Sequence, residues 1–272
     1  MVTITSARAK TRSAAPTGML SREASISLLT VAVIFVVWWL VTTVFNVSPL
    51  ILPSPQAMGQ ELVTLLSVGY AGKPLYAHVA ASLFRSMSGL IAGIFLAIPV
   101  GLLMGHSSTV NASLVPIFGF FRPMTQIAFI PLMILWFGIG ELSKVLLIFA
   151  ASFNYTVLNS AAGMRAVPEQ LIRKGRNLGL TPRQLFLSVM LPAAMPHIFT
   201  GIKTSTAVSW AIVVAAELIA AQEGLGFIIQ DAGTFFRIPT VFLGIFIIGL
   251  IGVTLEIVIS LVERRMLHWQ GK

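Results

Sequence analysis

The sequence predicts an all-α integral membrane protein of about six transmembrane helices, and three observations predict it. Hydrophobic residues make up 56% of the 272-residue chain and charged residues 10%, with a mean hydropathy of +0.91. A soluble domain carries roughly 25% charged residues, and one of this composition would aggregate. Apolar runs near the roughly 20 residues needed to cross a bilayer recur along the chain. The basic residues gather at one set of run ends. Six crossings and their loops fill the length, leaving a tail at 1–24, a membrane domain at 25–266 with a large polar loop at 165–190, and a short tail at 267–272.

The first apolar run, Ser25 to Phe45, follows basic residues Arg8, Lys10, Arg12 and Arg22. It exceeds the roughly 7 to 15 residues of a secretory h-region, so it reads as an uncleaved first helix. The stretch Ser48 to Tyr76 holds Pro53, Pro55, a weakly amphipathic segment from Gln56 to Leu66 and a single basic residue, Lys73, which places it outside. A second helix is expected from His78 to Met104, then a turn, then a third from Asn111 that is broken by Pro116, Pro123 and Pro131. A lipid-embedded helix carries such breaks where neighbours or water satisfy the freed backbone groups. After the loop Gly138 to Glu141, a fourth helix runs from Ser143 to Met164. A fifth occupies Leu191 to Ala221, Gln222 to Pro239 reads as a Gly-rich external loop, and a sixth runs from Thr240 to Val262.

Orientation follows from the basic residues. The N-terminal four, the loop five (Arg165, Arg173, Lys174, Arg176, Arg183) and Arg264, Arg265 and Lys272 make twelve inside, against Lys73, Lys144 and Arg237 outside. Both termini are therefore expected in the cytoplasm. This distribution also accounts for the net charge of +9 without nucleic acid as a partner. With no cysteine and four histidines far apart in sequence, no disulfide or Cys-ligated metal site is expected. A membrane enzyme would need clustered acids, histidines or a nucleophile at one depth. Glu217, Glu256 and Glu263 alone among the acids fall at or within the crossings, so neither a catalytic nor a metal site is expected.

The polar loop between the fourth and fifth helices reads as two short helices around a turn. Gly179 suits the left-handed conformation that ends a helix, Thr181 can cap the next one, and Pro182 fits its first position. Leu178, Leu180, Leu185 and Phe186 would present an apolar face rimmed by Arg173 and Arg183. Such a knob suits docking into another protein; an amphipathic loop lying on lipid headgroups reads equally well from these residues alone.

The spacing Gly179, nine residues, Val189, Met190, Leu191-Pro192 resembles the signature loop of binding-protein-dependent ABC transporter permeases, Glu-Ala-Ala, three residues, Gly, nine residues, Ile, any residue, Leu-Pro. Where that family has Glu-Ala-Ala this chain has Arg173-Lys174-Gly175, so the glutamate that could bridge to an ATPase is missing. The resemblance extends over roughly 35 to 269 and runs to the taurine, aliphatic-sulfonate, nitrate and bicarbonate branch. It is carried by Leu52-Pro53-Ser54-Pro55, Phe121-Arg122-Pro123, Leu191-Pro192-Ala193-Ala194-Met195-Pro196 and Gly224-Leu225-Gly226-Phe227. Leu135-Trp136-Phe137-Gly138-Ile139-Gly140-Glu141 and Ala215-Ala216-Glu217-Leu218 are similar to taurine permeases in particular.

The resemblance implies a type I ABC importer permease fold in a bacterial inner membrane, with a coupling helix in the cytoplasm. It implies a homodimer with two cytoplasmic ATPase subunits and an external substrate-binding protein. ATP and Mg would be bound by the ATPase, and the chain has no Gly-x-x-x-x-Gly-Lys-Ser/Thr phosphate loop of its own. The coupling residues would be Arg173, Gly175, Gly179, Leu180, Thr181, Pro182, Arg183 and Phe186. The cargo would be a small sulfonate such as taurine, with nitrate, bicarbonate or another small anion as the alternative. A stand-alone secondary transporter gives no reason for the docking loop, and no inverted repeat is visible.

Charges inside a bilayer are costly and usually functional. Arg122 is expected mid-helix beside Pro123 with Gln126 one turn on, a pair suited to flank the path of an anionic or zwitterionic cargo. Glu217 is expected to pair with an internal cation or to meet the binding protein. Asn154, Ser209 and Trp210 are further polar or amphipathic candidates on the fourth and fifth helices. Arg85 and Lys203 read as snorkelling or internally paired cations.

Overall fold

A computed structural model describes the backbone of residues 17–45 and 47–269; Arg8, Lys10, Arg12 and Lys272 lie outside the described residues. The elements are α1 (Thr17–Thr43), α2 (Pro55–Ser67), α3 (Leu75–His106), α4 (Ser108–Phe121), a 3-10 turn (Gln126–Phe129), α5 (Ile130–Phe137) and α6 (Glu141–Arg165). Then follow α7 (Glu169–Asn177), α8 (Pro182–Leu185), a π-helical turn (Phe186–Met190), α9 (Leu191–Ala220), α10 (Leu225–Thr234) and α11 (Ile238–Met266). Among the described residues, five stretches are long and apolar enough to cross a membrane: Ala24–Thr43, α3, α6, Pro182–Ala220 and α11. A sixth is the pair formed by α4 and the segment Gln126–Phe137, bent by 82°. The all-α fold of about six spans is thus observed.

The chain divides between Gln56 and Ala57 into two units. In the first, α1 begins at Thr17, ahead of the apolar run expected from Ser25. Trp38 Nε1 donates to the carbonyl of Pro53 at 3.0 Å, tying the proline-rich segment to the helix that precedes it.

The second unit is organised around α3, α6 and α9. One face of α3 repeats a small residue every fourth position, Gly89, Gly93, Ala97, Gly101 and Gly105. Side chains at such a spacing stack on one helix face, and small ones let two backbones approach closely in a membrane. At Gly89 a Cβ would come within 2.8 Å of Ile148, and at Gly101 within 2.6 Å of Ser160. The α6–α9 contact is similarly close, with Gly201 against Asn159 and the hydroxyls of Thr156 and Ser205 hydrogen-bonded at 2.7 Å.

Two expectations are corrected. The stretch Gln222 to Pro239, read as loop, contains α10, which buries Leu225, Ile228 and Ala232 at helical spacing. Its glycines masked that periodicity. Arg122 does not lie within a continuous helix: it is the C-cap of α4, exposed, with Pro123 opening the break. Pro123 has no N–H to give to the Gly119 carbonyl, so the hydrogen-bond ladder stops there, although Arg122 itself keeps the α conformation.

Candidate functional site

The sequence-predicted residues fall into four places. The first is the knob between α6 and α9. Gly175 is buried in α7, and a Cβ there would meet Leu185 Cδ1 at 2.5 Å. Gly179 turns the chain with φ +75° and open space around it. Thr181 and Gln184 then form a reciprocal capping box, and Pro182 starts α8. Leu185 is buried, and Leu180 and Phe186 pack into the same small core with Ile172 and Met190. The expected apolar face is therefore turned inward, because a short knob without its own core could not hold its shape. Leu178 is 80% exposed, and around it Arg173, Lys174, Arg176 and Arg183 make the exposed surface basic. Arg173 pairs with Glu169 at 2.8 Å across an exposed helix turn.

The chain re-enters α9 through the π turn. Pro192 has no N–H for the Ser188 carbonyl, and its ring would clash with that carbonyl in a tight helix; the widened turn accommodates it.

The second place is at the other end of α6 and α9, where Arg85 of α3 is buried. Its guanidinium donates to Glu217 Oε1 at 2.7 Å, to Glu141 Oε1 at 2.8 Å and to the carbonyl of Glu223 at 2.8 Å. Glu217 also accepts from Ser82 Oγ and, at 3.0 Å, from the Gly226 N–H. Ser82 Oγ accepts from the Leu225 N–H, and His78 Nδ1 from the Gly224 N–H at 3.1 Å. The Glu223 to Gly226 loop is thus sewn onto α3 by a paired network whose centre, Arg85, Glu217, Ser82 and His78, is buried, and Glu217 has the internal cationic partner expected of it. Outside the spans, Lys73 pairs with Glu223 and holds its carboxyl below the ordinary carboxylate range. Burial, then the hydrogen bond to Asp231 at 2.7 Å, pushes the Tyr70 phenol up.

The third place is a cavity of about 450 Å³ between α4, α5 and α6, lined by Gln126, Phe129, Trp136, Phe149, Phe153 and Asn154 among others. Phe153 packs against Phe149 at 5.8 Å and Phe118 at 6.2 Å between ring centroids. Asn154 is buried, and its Oδ1 has no hydrogen-bond partner among the described residues. The structure therefore brings Gln126 and Asn154 together. Arg122 follows Phe121, another lining residue, and makes no ion pair among the described residues.

The fourth is a cleft between α9 and α11 lined by Lys203, Trp210 and Glu256. Trp210 Nε1 donates to the carbonyl of Ile248 at 3.0 Å, so it packs α9 on α11 rather than facing the cavity. Lys203 pairs with Glu263. Ser209 is buried away from both cavities. Sequence reasoning missed the part played by Glu141, Ser82 and His78; a buried Arg85 and Glu217 of opposite sign in separate apolar runs was the available signal.

The model of binding-protein-dependent transport system inner membrane components matches residues 74–268, most of this second unit. The chain belongs to this family. It is 42% identical over 254 residues to the taurine transport system permease protein TauC of Escherichia coli (strain K12), covering 93% of this chain and 92% of that one. A putative aliphatic sulfonates transport permease protein SsuC of Bacillus subtilis (strain 168) is 34% identical, covering 90% and 87%. The nitrate import permease protein NrtB of Synechocystis sp. is 31% identical, covering 86% of each chain. A structure of the MetNI methionine ABC transporter in inward-facing conformations superposes with a TM-score of 0.63 at 18% identity, over 76% of this chain and 98% of that one, a likeness of fold. This is a multi-pass permease of an ABC importer, not an enzyme, and its partners are an ATPase and a substrate-binding protein.

Proposed function

We propose that two copies of this permease form the membrane path of an importer for a small sulfonate, taurine foremost, driven by two ATPase subunits docked on the α7–α8 knob. The observation that carries the reading is the exposed break after α4. Each half of that bent pair is shorter than the roughly 20 residues a crossing needs. The break therefore lies at membrane depth, where irregular backbone is tolerated only against protein or water. A second copy closing a water-filled path around the break satisfies that requirement and gives Arg122 an anion to meet. The similarity to TauC supports a sulfonate cargo. The basic surface of the knob and the balance of twelve basic residues to three support a cytoplasmic knob and cytoplasmic termini.

In operation, ATP-driven closure of the ATPases would press on the knob. The short rigid α7–α8 unit passes the displacement through the π turn into α9, and the dimer interface alternates between its two openings. The similarity to NrtB supports a second reading, a nitrate or related small-anion cargo, with the same coupling. The test is purification of the tagged chain from its native membrane with its partners, followed by reconstitution and uptake of labelled taurine. The reading expects a co-purifying ATPase that Gly179→Asp releases, and taurine uptake that Arg122→Ala reduces and excess nitrate leaves intact. A chain that purifies alone and still transports, or uptake that nitrate abolishes, overturns it.

A further inference from the structure

We propose that Arg122 of one copy pairs with Glu256 of a second copy and so fastens the two together, an inference that rests on the two-copy membrane path proposed above. A charge away from the ends of a span needs a partner or water, because lipid supplies neither. Among the described residues, Arg85 is met by Glu217 and Lys203 by Glu263. Arg122, at the break after α4, and Glu256, within α11, are exposed, and among the described residues neither makes an ion pair within the chain. One cation and one carboxylate are thus left over, of opposite sign and on different spans.

The two stand at similar depth. With the bent pair, α6, the span through α9 and α11 each crossing once, α4 begins and α11 ends on the same side of the membrane. At 1.5 Å per residue, Arg122 lies about 21 Å from the start of α4 at Ser108, and Glu256 about 15 Å from the end of α11 at Met266. The long arginine side chain spans the difference. Their surroundings also match. Glu256 lines a cleft of about 400 Å³ between α9 and α11 together with Gly249 and Gly252. A Cβ at Gly249 would meet nothing within 4 Å, so the floor of the cleft is open. Lys203 lines the same cleft but is taken by Glu263. No residue of α4 is buried, and Phe120 and Phe121 make the corner before Arg122 exposed and apolar. A twofold axis makes this self-complementary: each copy offers one corner and one cleft, and both contacts form at once. Lipid against the same faces would leave a guanidinium and a carboxylate bare. An oxyanion reaching the break would compete with the carboxylate for the guanidinium, so an anionic cargo can loosen the fastening.

The test uses the complete complex in its membrane, with two co-expressed copies of the permease carrying different tags. The chain has no cysteine, so Arg122→Cys on one copy and Glu256→Cys on the other place the permease's only thiols at the proposed contact. A short bis-maleimide should join them in a product that carries both tags. Ile245→Cys, exposed on α11 but roughly 16 Å further along it, should not be joined to Arg122→Cys. In a second measurement, Arg122→Glu or Glu256→Arg alone should lower recovery of the second tag several-fold, and the two swaps together should restore it. Three results overturn the pair while leaving the two-copy reading standing: no cross-link although both tags co-purify, an equal cross-link from Ile245→Cys, or a double swap recovered no better than the singles. Tags that never co-purify from the wild-type membrane overturn the two-copy reading and the pair with it.

Discussion

Arg85 and Glu217 are buried together, and neither can lose its partner cheaply. Removing one member of a buried ion pair leaves an uncompensated charge, at a cost of about 3–5 kcal/mol, while replacing both by apolar residues is far milder. Arg85→Met and Glu217→Met should each lower the melting temperature of the detergent-solubilised protein strongly, and the double variant should be more stable than the sum of the two predicts. Lys73 and Glu223 are a contrasting case, since both are partly exposed. Their pair contributes only about 0.2–1 kcal/mol. Because Lys73 lowers the Glu223 carboxyl, that contribution is present above the unfolded carboxylate value of about 4.3 and is lost as pH falls through the folded one. The stability difference between wild type and Lys73→Ala should therefore be measurable near neutrality and vanish in acid. At this scale the sequence announces that Arg85, Glu217, Asn154 and Gln126 matter, since polar groups in apolar runs are costly. It does not announce pairings, because Glu141, Glu217 and Glu223 lie far from Arg85 along the chain and meet it only after the helices pack.

Small residues set how closely the helices approach. On α3 the ladder Gly89, Gly93, Ala97, Gly101, Gly105 lies against α6, and Gly101→Val would push branched carbon into Ser160 and the Val157 carbonyl. Overpacking of this kind costs about 1–3 kcal/mol or more, and the variant should melt earlier and lose ATPase-coupled uptake. Gly59→Ala is the control. Nothing lies within 4 Å of its would-be Cβ, and in α2 the change should stabilise by about 0.5–1 kcal/mol, read in the same melting assay. The helices themselves were legible from hydropathy, and their observed ends fall within a few residues of the expected ones for α3, α6, α9 and α11. Local composition is judged residue by residue, so the glycines of the α10 segment suggest loop, while the prolines of α4–α5 announce a broken crossing but neither its angle nor the place of Arg122 at the edge of the break. Burial of Leu225, Ile228 and Ala232 in one case, and the 82° bend in the other, are decided by neighbours the local sequence does not show.

Across the whole molecule, the arrangement of crossings can be tested directly because the chain contains no cysteine. Thr181→Cys in the knob and Phe236→Cys beyond α10 are exposed positions, and a membrane-impermeant thiol reagent should label them from opposite sides of the membrane. Labelling of both from one side would overturn the inside-outside assignment. That assignment rests on charge counts along the chain, which is why it could be read before any fold was known; how the two proposed copies would meet could not, since no single chain contains such an interface. Around Arg85, the cations Lys73, Arg85 and Lys144 face the carboxylates Glu141, Glu217 and Glu223, three against three. Seen from a few ångströms away, this rim has no sign. It neither gathers anions nor turns them back, so in the importer proposed above a solute's charge would go unread at that threshold and be weighed first further along, where Arg122 has no counterion among the described residues.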